Sequence, residues 1–298
     1  MMYFILFLLC FFLVIYIFTL CKEGIQEKQL VSKWLDLSKN KRNETNILYF
    51  TCKKQQLMSK STNFQLDYKV EEPKIPKVVY FTYHELKFIP QYVLSNIEKN
   101  CEGCDIRIFD DAQCIAFLEK YFGRKAVSIF NNMKFPAHKA DFWRYCILYV
   151  FGGCYFDIKT NFIKPISEIF DFTKHSTWYT VLGIGDKLVY NGIIVTPPRN
   201  PILLKCIKHC FRKKRSKDYL FFLKYIYRCI EKSTYKLPKV GLNKQKNGWN
   251  CILFQETCLN CEEIKCKSKP DRYNFNCNIQ NEKKEKVFYT RYTDFPWA

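Results

Sequence analysis

Histidine is scarce in this chain, with four residues in 298. None of the four has a carboxylate at the spacing that a histidine-activated nucleophile needs. Triad-type hydrolysis is therefore disfavoured, and we interpret the histidines as ordinary core or surface residues. They are His84, His138, His175 and His209.

Acidic residues are also few: 28 Asp and Glu stand against 48 Lys and Arg, a net charge of +20. Such a balance suits a protein that handles polyanions or lies beside an anionic surface. The strongest basic run, Arg212-Lys213-Lys214-Arg215-Ser216-Lys217, lacks the interleaved aromatic residues of a nucleic-acid module. We interpret it as a solvated loop and predict no nucleic-acid partner.

The first 21 residues contain no charged side chain and are rich in Phe, Leu and Ile. This length suits a membrane-spanning helix. A cleavable signal peptide is the alternative, but it has a basic start and a shorter apolar core, which favours a retained anchor over residues 1–21. Lys22 and Lys28 follow the run, and the positive-inside rule argues mildly for a cytosolic body.

Two other features favour a lumenal body, in the Golgi or endoplasmic reticulum. Asn43-Glu44-Thr45 is an N-glycosylation acceptor. Fourteen of the 16 cysteines lie outside the apolar run, and disulfides are expected in a secretory lumen. The chain is predicted to comprise an anchor (1–21), a polar stem (22–72) and a body (73–298).

Within the body, apolar runs alternate with helical patterns. Strands are predicted at 75–81 and 105–110, and helices at 90–99, 112–121 and 124–133. This alternation predicts an α/β fold with a mostly parallel sheet.

The segment 140–159 is the most informative part of the body. Asp141 and Arg144 are three residues apart on an apolar helical stretch and leave the same face. Gly152-Gly153 ends that helix. A short strand, Cys154-Tyr155-Phe156, follows and places Asp157 at its end, where ligands of α/β sheets bind.

These residues resemble the glycosyltransferases of family 32, a "DXD" group that includes α-mannosyltransferases and, more distantly, clostridial glucosylating toxins. The match covers about residues 74–204 and includes Lys74 to Tyr80 at the first strand and Tyr190-Asn191-Gly192 to Pro201. The central pattern is matched by Ala137, Ala140, Asp141, Arg144, Tyr145, Leu148, Tyr149, Gly152, Gly153, Tyr155 and Asp157. The second Asp of the DXD motif is Lys159 here.

The resemblance implies a GT-A type, Rossmann-like domain that transfers a hexose from a nucleotide-sugar donor, a UDP-sugar or GDP-mannose, to a glycan or glycoconjugate with retention. Asp141, Arg144 and Asn191 would then bind the donor sugar. Three tyrosines, Tyr80, Tyr83 and Tyr155, would line the nucleotide. Core packing is the alternative role for Tyr80 and Tyr83.

Asp157 and Lys159 are the predicted catalytic residues, and the lysine raises a question about metal. The family implies Mn²⁺ or Mg²⁺ as cofactor, but an ammonium group cannot ligate a metal ion. Either Lys159 supplies charge to the diphosphate, or the chain is an inactive relative that binds nucleotide or glycan. A metal held by Asp157 and Asp294 is a third arrangement.

Cysteines concentrate near the C-terminus, where Cys258 and Cys261 have zinc-knuckle spacing. Disulfides are favoured over zinc there because a lumenal body is expected. For Cys101 and Cys104 a structural disulfide is the prediction.

Overall fold

The computed structural model describes residues 73–212, 218–258 and 277–290. The predicted anchor, the stem, Asn43, Asp294 and two of the clustered C-terminal cysteines, Cys261 and Cys266, lie outside these residues. Within the described ranges, no helix combines the length and apolar character needed to cross a membrane.

The described chain is α/β, as predicted. Its strands are β1 Val78–Thr82, β2 Asp105–Phe109, β3 Gly153–Phe156, β4 Asn161–Phe162, β5 Thr177–Leu182, β6 Val189–Thr196, β7 Gly241–Lys244, β8 Asn250–Cys258, β9 Cys277–Gln280 and β10 Lys286–Tyr289. Its helices are α1 Gln91–Asn100, α2 Asp111–Phe122, α3 Arg124–Asn131, α4 Pro136–Phe151, α5 Ile166–Ile169, α6 Pro201–Arg212 and α7 Phe221–Ser233, with a 3₁₀ turn at Leu86–Phe88.

The described strands form one sheet in the order β2-β1-β3-β6-β5-β8-β9-β10-β4, and β7 pairs with β8. The prediction of a mostly parallel sheet is wrong. Parallel pairing joins β1 to β2, β1 to β3 and β5 to β8, whereas the other described pairings are antiparallel. Short connections such as the one between β5 and β6 reverse the chain without a crossover helix, and such a reversal produces antiparallel neighbours.

One edge of the sheet collects the strand ends that carry the motif residues. Strands β1, β3, β5 and β8 run in the same direction, and β6 runs against them. Phe156 is paired with Ile193, and Leu182 with Gln255. The carboxyl ends of β3, β5 and β8 therefore meet the amino end of β6, and we name this border the ligand edge.

Helix α4 is buried on nearly all sides. Pro136 occupies its first turn, where a missing N–H costs nothing. Gly152 ends it with φ 67°, and a Cβ there would lie 2.5 Å from the Pro198 nitrogen. Trp143, Ile147 and Leu148 are buried, whereas Phe151, in the last turn, is 39% exposed.

An aromatic cluster fills the sheet face that α1 and α5 cover. Phe156 lies 4.9 Å from Phe162 and 5.6 Å from Phe288, measured between ring centroids. Phe170 stacks on Phe254 at 5.8 Å. Because these rings come from five separate segments, their burial fixes β3 to the C-terminal strands.

The chain divides into two compact units, one of Lys69–Cys114 with Ile129–Ala298, and one of Met1–Tyr68 with Ile115–Ser128. The sheet and the motif residues belong to the first. In the second, the described residues are helical, and Phe117 lies 5.0 Å from Tyr121 between ring centroids.

The disulfide prediction for Cys101 and Cys104 is wrong. Both thiols are unbridged, and burial raises the pKa of Cys101 to about 12. The turn between them is closed by the backbone instead, because the Cys104 N–H donates to the Cys101 carbonyl at 3.1 Å.

Candidate active site

Arg144 is the centre of a buried ionic cluster between α4 and β6. Its guanidinium is 3% exposed. It contacts Asp157 Oδ1 at 2.9 Å and Asp141 Oδ1 at 3.4 Å, and it donates to the Asn191 carbonyl at 2.6 Å. The same group lies over the Tyr155 ring, 4.3 Å from its centroid. One arginine thus joins the helix, β3 and β6 through planar, directional contacts.

Asn191 completes this cluster from β6. Its side-chain amide donates to Asp141 Oδ1 at 2.9 Å and to the Tyr145 hydroxyl at 2.8 Å. Asp141 and Asn191 are 4% and 3% exposed. The structure therefore brings together all three residues predicted to bind the donor sugar, and it holds them in one fixed arrangement.

Asp157 stands where this cluster meets the ligand edge. Its backbone N–H donates to the Gly192 carbonyl at 2.8 Å, which continues the β3–β6 ladder by one residue. The Tyr155 hydroxyl donates to Oδ1 at 3.3 Å and lies 3.0 Å from the Thr82 hydroxyl. With its side chain 20% exposed, Asp157 is the more accessible of the two carboxylates that contact Arg144.

Glycine at position 192 is required by the packing around Asp157. A Cβ there would lie 2.6 Å from Asp157 Oδ2 and 2.5 Å from Tyr190 Cζ. No flexible side-chain end can yield, because one neighbour is an aromatic ring and the other is an anchored carboxylate. The glycine therefore lets Tyr190 and Asp157 lie side by side.

Lys159 is the second motif residue at this edge, and it is more exposed than Asp157. Its ammonium group lies 3.8 Å from Asp157 Oδ2, and 37% of the side chain is accessible. A partly exposed ammonium group can bind a phosphate group as a point charge, against the repulsion of the Asp157 carboxylate.

The two aspartates have opposite pKa shifts. Burial, which outweighs the attraction of Arg144, raises the pKa of Asp141 to about 6. Burial acts in the same direction on Asp157, but Arg144, Lys159 and the Tyr155 hydroxyl together lower its pKa below the ordinary value. For Arg144, burial is outweighed by Asp157 and Asp141, and the pKa is raised. The surroundings thus favour the ionised form of Asp157 at the ligand edge and disfavour that of Asp141 behind it.

Sequence reasoning missed Glu256, which belongs to the same edge. It is half-buried near the end of β8, and its Oε2 accepts the Ile184 N–H at 3.1 Å. Burial raises the pKa of Glu256, against smaller opposing effects of that N–H and of Lys159. The available signal was weak: polar residues, Gln255 and Glu256, follow the apolar run 251–254.

The predicted nucleotide tyrosines lie in different environments. Tyr80 is 1% exposed, with its ring 6.5 Å from Trp143 and 6.3 Å from Phe109. Tyr83 follows β1 and is only partly buried, 4.5 Å from the His84 ring. The Tyr155 ring packs against the Arg144 guanidinium. Their nucleotide-binding role stays a prediction.

The described donor set does not fit a divalent ion. Asp157 Oδ1 is occupied by Arg144 and Tyr155, and Oδ2 faces Lys159. Throughout the ranges the structure describes, no three His, Cys, Asp or Glu side chains are grouped so that they could hold a metal. Asp294, the other predicted ligand, lies outside the described residues.

A family model matches this part of the chain. Residues 84–176 match the glycosyltransferase sugar-binding region containing DXD motif. The match spans α4, β3 and Asp157 and covers less than half of the chain, and it confirms the resemblance to the glycosyltransferase class.

Three curated relatives agree with this class. An uncharacterized glycosyltransferase of Acanthamoeba polyphaga mimivirus is 26% identical over 125 residues, 41% of this chain. The mannosyl phosphorylinositol ceramide synthase of Saccharomyces cerevisiae is 25% identical over 178 residues, 59% of the chain. The initiation-specific alpha-1,6-mannosyltransferase of Candida albicans is 28% identical over 156 residues, 48% of the chain. The alignments cover 49%, 43% and 38% of these relatives.

Proposed function

We propose that this chain is a membrane-anchored, retaining glycosyltransferase of the GT-A type. It transfers a hexose from a nucleotide-sugar donor to a glycan or glycoconjugate acceptor. The observation that carries the proposal is the closed Arg144, Asp141 and Asn191 cluster directly behind Asp157. Asp141, Arg144 and Asp157 lie within the matched sugar-binding region, and Asn191 joins them from β6.

The buried cluster would recognise the donor sugar. Asp141 and Asn191 are already oriented by Arg144 and Tyr145, so their polar groups need little reorganisation when sugar hydroxyls arrive. Preorganised polar groups contribute most where water is excluded. Asp157, at the accessible end of the cluster, would contact the ribose and the sugar.

Lys159 would take the diphosphate. When the bond between the sugar and the phosphate breaks, negative charge grows on the leaving group, and a fixed cation stabilises it. Lys159 is partly exposed and lies beside Asp157, which suits this role. A divalent ion would supply the same charge as a Lewis acid, but the described donor set does not fit one.

Glu256 would face the acceptor. It lies on β8 at the ligand edge, and β5 separates β8 from β6. The positive charge of Lys159 acts to lower its pKa. A half-buried carboxyl held by a backbone N–H can accept a hydrogen bond from an acceptor hydroxyl and orient it.

Mannose is the favoured donor sugar, because two of the three relatives are named for mannose transfer. GDP-mannose is therefore preferred over a UDP-sugar.

A lumenal body remains part of the proposal, and glycosylation at Asn43 in eukaryotic cells, detected as a glycosidase-sensitive mass shift, would support it.

The test measures donor hydrolysis and transfer by the full chain with GDP-mannose and UDP-hexoses, in chelator and in manganese. Asp157→Ala is expected to abolish both reactions. Lys159→Ala should lower turnover more in chelator than in manganese, and Lys159→Asp should increase manganese dependence. Lys174→Ala is the matched control, because Lys174 is an exposed lysine that pairs with Asp171.

Two results would contradict parts of the proposal. Tight nucleotide-sugar binding without hydrolysis or transfer would identify an inactive relative, which the Lys159 replacement makes the second candidate. A wild-type enzyme inert in chelator and fully active with manganese would show that other acids hold an ion and that Lys159 does not replace it.

A further inference from the structure

The segment between α7 and β8 exposes apolar side chains to an unusual degree. Tyr235 is 72% exposed, Leu237 70%, Leu242 52% and Val240 37%. These four side chains come from eight consecutive residues. Clustered exposed apolar groups on a folded surface mark a site of interaction.

Lysines alternate with these apolar residues. Lys232, Lys236, Lys239, Lys244 and Lys246 are exposed, and no Asp or Glu occurs from 232 to 255. The acidic groups nearby are Glu231, before the segment, and Glu282, whose Cβ would lie 3.8 Å from a Cβ at Gly241. We name residues 235–246 the basic–apolar surface.

The backbone of this surface is held in place. The Asn243 amide donates to the Lys239 carbonyl at 2.7 Å and to the Gly241 carbonyl at 2.8 Å, while its oxygen accepts the Lys239 N–H at 3.0 Å. The Lys246 N–H donates to Ser233 at 2.8 Å. Because the loop is already ordered, binding a partner loses little conformational entropy.

Along residues 241–246, buried and exposed side chains alternate as in a strand. Gly241, Asn243 and Gln245 are buried, whereas Leu242, Lys244 and Lys246 point outward. Lysines on a border strand also discourage unwanted strand pairing. Protection against strand pairing does not explain the exposed Tyr235, Leu237 and Leu242, because polar residues would serve that purpose better.

We propose that the basic–apolar surface docks on an anionic lipid bilayer. Lysines are attracted to anionic headgroups, at about 1 kcal/mol for each lysine near the surface. Leucine and valine gain by entering the boundary with the acyl chains, and tyrosine suits the headgroup level. The inference is independent of the donor site, of the apolar run at residues 1–21 and of the side of the membrane on which the body lies, because it requires only a leaflet with anionic headgroups.

The experiment compares backbone hydrogen exchange in the full chain reconstituted with two kinds of vesicle, phosphatidylcholine alone and phosphatidylcholine with phosphatidylserine. Because residues 1–21 are present with both, the readout is confined to peptides that cover 235–246. We expect slower exchange of these peptides on the anionic vesicles only, and we expect the difference to shrink as salt is raised.

Charge-reversal variants test whether the lysines of this surface bind the anionic lipid. The test variant combines Lys236→Glu, Lys239→Glu and Lys244→Glu. It should need at least about 100-fold more anionic lipid to reach half-maximal protection, because each lysine contributes about 1 kcal/mol of binding. The control combines Lys99→Glu, Lys120→Glu and Lys125→Glu, which changes the net charge equally and should have no effect on this segment. Leu237→Ser with Leu242→Ser should weaken protection without removing its salt dependence.

Equal protection on neutral and anionic vesicles would overturn the proposal, as would full protection in the triple lysine variant. Protection by heparin or RNA as strong as that by the vesicles would also overturn it, because a generic polyanion site would then suffice. A wild-type salt series keeps the test valid if a variant fails to fold.

Discussion

Two groups of charged side chains meet at Asp157, and they differ in how much water reaches them. Behind it, Asp141, Arg144 and Asn191 are at most 4% exposed and satisfy one another. In front, Lys159 is 37% exposed and Glu256 is half-buried. Buried charges must be paired because desolvation is costly, whereas accessible charges remain available for ligands. In the proposed function, the buried group therefore presents preoriented polar groups to the donor sugar, and the ligand edge supplies the accessible charges.

The largest expected effect comes from removing the centre of the buried group. Arg144→Leu leaves Asp141 and Asp157 without their cation, and loss of one partner from a buried ion pair costs about 3–5 kcal/mol. Urea unfolding should show this loss. Arg107→Leu is the control, since Arg107 pairs with Asp105 on an exposed surface and should cost less than about 1 kcal/mol. Similar losses in the two variants would remove the distinction between the regions.

Asp141 predicts a pH dependence of stability. Its pKa is raised to about 6 from an ordinary 3.8, so the folded state disfavours the ionised form. The free energy of unfolding should therefore fall as pH rises from about 4 to about 6, by on the order of 3 kcal/mol. Asp157, whose pKa is lowered, contributes in the opposite direction and only below pH 4.

Asp141→Asn tests this assignment in urea unfolding measured across the pH range. The variant should lose most of the decline between pH 4 and 6, with the remainder coming from Glu256, whose pKa is also raised. It should keep the acid limb that Asp157 produces. A wild-type curve that is flat or rising over that interval would show that Asp141 is ionised throughout.

Gly192→Ala tests the junction between the two groups. The added Cβ meets Tyr190 and Asp157 at 2.5–2.6 Å, and overpacking of this kind costs about 1–3 kcal/mol. Transfer should fall further than stability suggests, because Asp157 is displaced. Gly103→Ala is the control for adding a Cβ without a steric contact, because nothing lies within 4 Å of the added atom. Its φ of +76° adds a backbone strain that Gly192 lacks, and transfer should nevertheless stay intact.

Glu256→Gln gives the smallest expected change and concerns the ligand edge alone. Transfer to acceptor should fall about tenfold, equivalent to about 1.4 kcal/mol in the transition state, while donor hydrolysis stays near wild type. Parallel assays of the two reactions separate acceptor positioning from donor binding. If hydrolysis falls as far as transfer, Glu256 acts on the donor instead.

Sequence reasoning located the motif residues because their spacing is local. A helix places Asp141 and Arg144 on one face, and the glycine pair fixes where β3 begins, so Asp157 falls at a strand end. The contacts confirm that these residues come together with Asn191. Asn191 was found through the family resemblance, since its partner Asp141 is 50 residues away.

The direction of the strands and the identity of Glu256 could not be obtained in this way. Alternation of helices and strands predicts parallel neighbours, but β6 enters between β3 and β5 in the opposite direction. That insertion brings Tyr190 and Gly192 against Asp157. Glu256 joins the edge because β8 pairs with β5, a contact between strands separated by 67 residues of chain. No local pattern encodes such a pairing.

By itself, then, the sequence determined the α/β class, the sugar-binding motif and the substitution of Lys159 for an acidic residue, because all three depend on residues that are close together in the sequence. Tertiary structure decided which charges are buried and which remain accessible. Burial depends on what packs over a residue from distant segments, and it is burial that raises the pKa of Asp141 while Arg144 and Lys159 keep Asp157 ionised.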